Sequence, residues 1–195
     1  GNFGDPGFTA IAVTPFLVRP GGVRPEDREF VDANIEFLIA NRKKDGGIYG
    51  RGVANYATCV SIMAPVNDDP EKHREAIADA VKFVKSLQAA SGGIGYSDKV
   101  GPEESDISNT QFAIEALKKA GVEKEDPTYS HALKFLQSLQ NRSESNTGEY
   151  KLEDGRKIVP MDDGGAYYKP TESKAGIQEN PDGTVSLRSC GSTTY

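Results

Sequence analysis

The residues able to bind a metal or attack a substrate are few in this chain, and their spacing sets what each can do. Its 195 residues hold two cysteines, Cys59 and Cys190, and two histidines, His73 and His131. Zinc chemistry requires three or four nitrogen, sulfur or carboxylate ligands converging on one point. Cys59 falls inside an apolar segment, whereas both histidines fall near the starts of amphipathic segments that face another way. No ligand set forms, and neither a metal nor another cofactor is expected. Cys190 precedes Gly191 at the expected start of a helix, a place that depresses a thiol pKa and favours nucleophilic attack, but no base converges on it. Two cysteines are too few for a disulfide framework, and each reads as a buried free thiol. The acid pair Asp162-Asp163, with Asp45 and Asp154, offers the oxygen ligands a divalent cation takes, yet acids beside glycine are explained by the turn amides they cap. Asp106 and Ser108 stand just before an apolar run, as helix N-caps do.

A repeat must position these residues. Phe37-Leu38-Ile39 leads into Asp45-Gly46-Gly47-Ile48-Tyr49, Phe83-Val84 into Gly92-Gly93-Ile94-Gly95-Tyr96, and Phe135-Leu136 into Asp163-Gly164-Gly165-Ala166-Tyr167. Apolar segments opening on Thr9, Thr58, Thr110 and Thr194 interleave with these. The three phenylalanines are 46 and 52 residues apart, room for two helices and two connections, so the pattern predicts an array of αα-hairpins. The repeats run over about 6–50, 54–98 and 105–170 within a single domain 1–195, and a further one starts at 191. One series, Pro6–Val18, Ala54–Val66 and a segment from Asp106 or Ser108 to Leu117, is apolar nearly all round and is expected inside. The other, from Pro25-Glu26-Asp27 to Arg42, from Asp69-Pro70-Glu71 to Ala89 or Ala90, and from Asp126-Pro127, is amphipathic and expected outside, with Ala132, Leu133, Leu136 and Leu139 facing inward on the last. From Arg142 to Ser189 the sequence reads as a long excursion holding at most a short hairpin.

Composition narrows the partners. The net charge of −6 and the pI near 5.1 argue against nucleic acid and against an anionic membrane surface. The densest basic run, Arg42-Lys43-Lys44, belongs at a helix end, where cations complement the dipole. No apolar run approaches the roughly 20 residues that span a bilayer, so a soluble protein of open compartment is expected. Gly1 is not an initiator methionine, and the chain stops where a fourth threonine-type helix should begin. The expectation is a fragment of a longer protein, or a chain completed by another.

The alternation of uncharged helix, amphipathic helix and Asp-Gly-Gly-aromatic turn resembles the prenyltransferase and squalene-cyclase repeat superfamily. The likeness is closest to the bacterial prenyltransferase/squalene-oxidase-repeat proteins, through Asn55-Tyr56-Ala57-Thr58, Ser108-Asn109-Thr110-Gln111-Phe112-Ala113, Phe135-Leu136-Gln137-Ser138-Leu139-Gln140-Asn141 and Ser173-Lys174-Ala175-Gly176. The resemblance implies an all-α fold, an incomplete α/α toroid of inner and outer helix pairs. Class II terpene cyclases of this superfamily protonate an alkene with the middle acid of Asp-x-Asp-Asp-Thr. Aligned on Thr110, this chain reads Asp106-Ile107-Ser108-Asn109-Thr110, and a serine hydroxyl is too weak an acid for that step. Ile48, Ile94 and Ala166 take the places of the cyclase tryptophans, leaving Tyr49, Tyr56, Tyr96, Tyr167 and Tyr168 as the aromatic supply. The zinc ligands of protein prenyltransferases have no counterpart beyond Cys59. Complement-type thioester domains share only Cys190-Gly191 of their Gly-Cys-Gly-Glu-Gln segment. The implied function is binding of an isoprenoid or other apolar ligand without class II cyclisation, in a cavity to which Tyr56, Thr58, Cys59, Ser108, Asn109, Phe112 and Thr194 are the candidates. No catalytic residue is assigned, Asp106 and Cys190 being the candidates. The alternative is a non-catalytic scaffold that binds a second protein chain.

Overall fold

The computed structural model describes residues 2–101 and 103–190. The expected start of a further repeat at 191, with Thr194, lies outside them. The chain is mostly helical. Threonine-type segments form α1 (Pro6–Val18), α3 (Ala54–Asp68) and α5 (Ile107–Lys119), and amphipathic segments form α2 (Arg28–Ala40), α4 (Arg74–Ser86) and α6 (Pro127–Ser138). α1, α3 and α5 pack side by side in one layer, with α2 against α1, α4 against α3 and α6 against α5 in the other. Val13, Ile35, Leu38, Ile62, Val84 and Leu117 belong to one continuous core between the layers.

Helix starts follow local chemistry. Asp5 caps α1 by accepting from the Phe8 amide at 3.2 Å, and Pro6 supplies a residue with no amide to satisfy. Asp126 caps α6 through the Thr128 amide at 3.0 Å while pairing with Lys85 of α4. The Lys85 ammonium and the Thr128 donors hold its carboxyl down at about 2. A carboxyl with a lowered folded pKa stabilises the fold above its ordinary value of 3.8, and that contribution fades as pH falls toward about 2. Asp126→Ala is expected to cost about 1 kcal/mol at pH 7 and much less near pH 2, read from urea midpoints across that range.

Two outer helices start later than their proline-acid signals suggest. Pro25–Asp27 forms a 3₁₀ turn before α2, and a turn occupies 70–73 before α4, which begins at Arg74 and ends at Ser86 instead of Ala89 or Ala90. Pro70 and Glu71 therefore introduce the helix without joining it. Leu133 is a second correction: it is 55% exposed on α6, whereas Ala132, Phe135 and Leu139 face the core.

The Gly-Gly corners join consecutive repeats. Gly92 has φ +91°, and a Cβ on it would lie 2.0 Å from the carbonyl oxygen of His131 in α6. Gly46, with φ +93°, meets the carbonyl of Asp79 in α4 in the same way, at 2.5 Å. Each corner thus lies flush against the backbone of the next outer helix. Polar links span the same joints: Arg42 pairs with Asp79 at 3.0 Å, and the Gln88 amide donates to the carbonyls of Gly92 and Thr128, both at 2.9 Å.

Residues 142–190 are more ordered than their composition suggests. They contain an antiparallel hairpin, β3 (Ile177–Glu179) with β4 (Val185–Leu187), and place Ile158, Tyr167, Val185 and Leu187 in a second core with Phe135 and Leu139. β1 (Ile94–Gly95) and β2 (Ser105–Asp106) pair just before α5. The buried Asn141 side chain pins the excursion to the array, accepting from the Met161 amide at 2.7 Å and donating to the Leu187 carbonyl at 2.8 Å. No helix among the described residues is long and apolar enough to cross a membrane.

Candidate functional site

The threonines that open α3 and α5 are structural joints. Thr58 Oγ1 donates to the Ala54 carbonyl at 2.7 Å and accepts from the Ile48 amide at 3.0 Å. Thr110 repeats the arrangement with Asp106 at 2.7 Å and Ile94 at 2.9 Å. A hydroxyl that donates to the helix and accepts from the corner, in a fully buried residue, ties the Gly-Gly corner to the inner helix and lies out of a ligand's reach.

Asp106 is fully buried at the N-cap of α5. Its Oδ1 accepts from the Asn109 amide at 2.8 Å, and the Asn109 side chain donates to both carboxylate oxygens. Asn109 therefore serves the cap. Burial pushes the Asp106 carboxyl above its ordinary value, opposed by the Asn109 donors and by the Lys169 charge. Tyr168 packs beside it, its phenol raised by burial first and then by Tyr96 and Asp106, and Lys174 Nζ lies 5.1 Å from the Tyr168 ring centre. Ser108 is half-buried next to this cluster. A carboxyl with a raised folded pKa favours folding below its ordinary value of 3.8 and loses that contribution as pH rises through the folded value. Asp106→Asn keeps a capping oxygen and removes the titration. Its stability relative to the wild type is expected to improve as pH rises above 3.8 and to level off once the folded-state carboxyl has ionised, as read from urea midpoints, whereas Asp106→Ala loses the cap at every pH, by about 1 kcal/mol.

The other reactive groups lie apart. Cys59 is 2% exposed with its thiol raised by burial, and Sγ lies 3.3 Å from the Asn55 side-chain oxygen. Cys190 is half-buried, bonded through its amide to the Ala166 carbonyl at 2.8 Å and with Sγ 3.5 Å from Ser173 Oγ. His73 Nε2 is 3.3 Å from Asp68, and His131 is exposed on α6. Asp45, Asp154, Asp162 and Asp163 each accept a backbone amide of a neighbouring turn, Asp162 from the left-handed region at φ 57°. No group of three metal-ligating side chains occurs among the described residues.

An open apolar groove of about 390 Å³ runs across the inner helices. α1 contributes Ile11 and Val18, α3 Cys59, Val60 and Met63, and α5 Phe112 and Ala116. Tyr56 packs edge-on against Phe112, ring centres 5.0 Å apart, and lies 6.4 Å from Tyr96. Of the residues marked out from sequence, Cys59 and Phe112 line this groove and Tyr56 flanks it. Thr58 is taken up in a backbone joint, Asp106 and Asn109 form the cap, and Ser108 lies half-buried beside it. Ile11, Val60 and Met63 escaped notice because helices apolar on every side give no periodic cue to which flank is open. Glu115 and Thr14 are the polar members of a lining that is otherwise apolar.

The family model for the squalene-hopene cyclase C-terminal domain matches residues 17–153, from the end of α1 into the excursion after α6. No curated protein matches the chain.

Proposed function

The chain belongs to the squalene-hopene cyclase C-terminal domain family, and on that premise we propose that it binds an isoprenoid or another long apolar molecule without cyclising it. The groove across α1, α3 and α5 carries this reading: Ile11 is 48% and Val18 57% exposed there, and covering such surface yields roughly 25 cal/mol per Å². Ser108 and Asn109 stand in place of acids, and the one acid kept, Asp106, is engaged by Asn109 at the helix cap. We take the two layers as part of an α/α toroid, with 1–195 as one domain. The second reading, a scaffold completed by another protein chain, is favoured by the edge helix α1, where Phe8 is 68% exposed.

Organic extraction of the purified protein followed by mass spectrometry separates the two. The expected result is a stoichiometric polyprenyl or similar lipid and saturable binding of a dansyl-farnesyl probe. Protein free of lipid that also fails to bind the probe removes the first reading. Incubation with squalene and with prenyl diphosphates is expected to return both unchanged, and a cyclic product would overturn the absence of cyclisation.

A further inference from the structure

We propose that a second docking site lies between α4 and the C-terminal turn of α5, and that it takes an acidic segment of a partner protein with an apolar centre. A groove of about 420 Å³ opens there and shares no lining residue with the inner groove. Val66, Ile77, Val81 and Val122 form its apolar floor. Arg74 and Lys82 stand eight residues apart along the α4 rim, about 12 Å on a helix. Lys119 stands on the opposite rim, contributed by the last turn of α5.

Charge selects the occupant. Glu71 is the one acid among the described lining residues, against three cations, in a chain whose net charge is −6. Lys82 reaches Asp79 only at 3.6 Å and is 78% exposed, and among the described residues Arg74 and Lys119 join no ion pair. Their charges face solvent over an apolar strip. Cations on both rims match a ligand with negative groups on both sides of an apolar centre. A fatty acid has a single carboxylate and leaves one rim unmatched, and an anionic bilayer, far wider than the groove, meets the chain's overall net charge of −6. A peptide segment meets both demands, with one or two apolar side chains on the floor and acids reaching the rims.

The test uses the whole chain and a fluorescein-labelled hexapeptide, a leucine–phenylalanine centre flanked by two acids on each side, followed by anisotropy at 50 and 300 mM salt. Saturable binding that weakens with salt is expected. Arg74→Glu with Lys119→Glu should reduce it at least tenfold, and Val81→Ser severalfold. All three positions lie at the groove surface, and thermal melting confirms that the variants fold. The same variants should leave dansyl-farnesyl binding unchanged, so that failure here is distinct from failure of the inner groove. Equal binding of a peptide with lysines replacing the acids, indifference to charge reversal, or charge-dependent binding of palmitate or phosphatidylglycerol vesicles in place of the acidic peptide would each overturn the proposal.

Discussion

Gly92→Ala is expected to lower the unfolding free energy by about 4 kcal/mol or more, enough to leave little folded protein at 37 °C. Two effects add at this residue. Its φ of +91° is a conformation that alanine adopts only with strain, and the new Cβ would lie 2.0 Å from the His131 carbonyl oxygen, inside any allowed contact. Relief would need α6 to move off the corner. That movement would disturb Phe135, whose ring already lies 2.7 Å from where a Cβ on Gly93 would sit, and the Gln88 amide that bridges Gly92 to Thr128. Gly121→Ala separates the two contributions, because Gly121 has φ +82° after α5 with nothing within 4 Å of its Cβ position. Only the conformational cost, about 1 kcal/mol, should appear there. Urea denaturation of both variants measures the difference. Equal losses would mean that the corner does not seat against α6.

The same corners explain why so much of the fold was readable. Glycine at 46, 92 and 164 marks places where no side chain can be accommodated or where φ is positive, and this requirement is written in residue type alone. Helix starts at Pro6 and Pro127 were legible for a like reason, a capping acid followed by a residue with no amide. Pro25 and Pro70 misled by a few residues, because a proline-acid pair suits a 3₁₀ or open turn as well as a first helical turn. Leu133 was expected to face inward with Ala132, but Thr128, Ala132 and Phe135 form the buried stripe of α6 and leave it on the flank.

The excursion hid its order because its core is assembled from single residues far apart in sequence. Ile158, Tyr167, Val185 and Leu187 show no shared period, and the Asn141 bonds to Met161 and Leu187 span 20 and 46 residues. Such contacts leave no local trace. The site was divided in the same way. Asp106 as a cap was evident from its position before an apolar run, but Thr58 and Asn109, expected at a cavity, are claimed at the inner-helix starts by a backbone carbonyl and by the Asp106 carboxylate respectively. The inner groove is instead made by residues five to twelve positions into α1 and five to nine positions into α3 and α5, and on α1 and α3, which are apolar nearly all round, burial alone distinguishes the flanks.

Met63→Asp is expected to weaken dansyl-farnesyl binding roughly 100-fold, about 2.7 kcal/mol, while leaving the fold intact. Met63 lines the groove from α3 and is only partly buried, so in the unliganded protein a carboxylate there stays in contact with water. Seating an isoprenoid chain across it removes that water without supplying a hydrogen-bond donor, and the charge then resists burial. Met63→Leu keeps the volume and the apolar character and should change affinity less than threefold. Titrating the probe into both variants, with thermal melting to establish that each is folded, tests the location of the ligand. If Met63→Asp binds as tightly as the wild type, the apolar molecule does not lie across α1, α3 and α5, and the exposed edge of α1 is left to be covered by another protein chain.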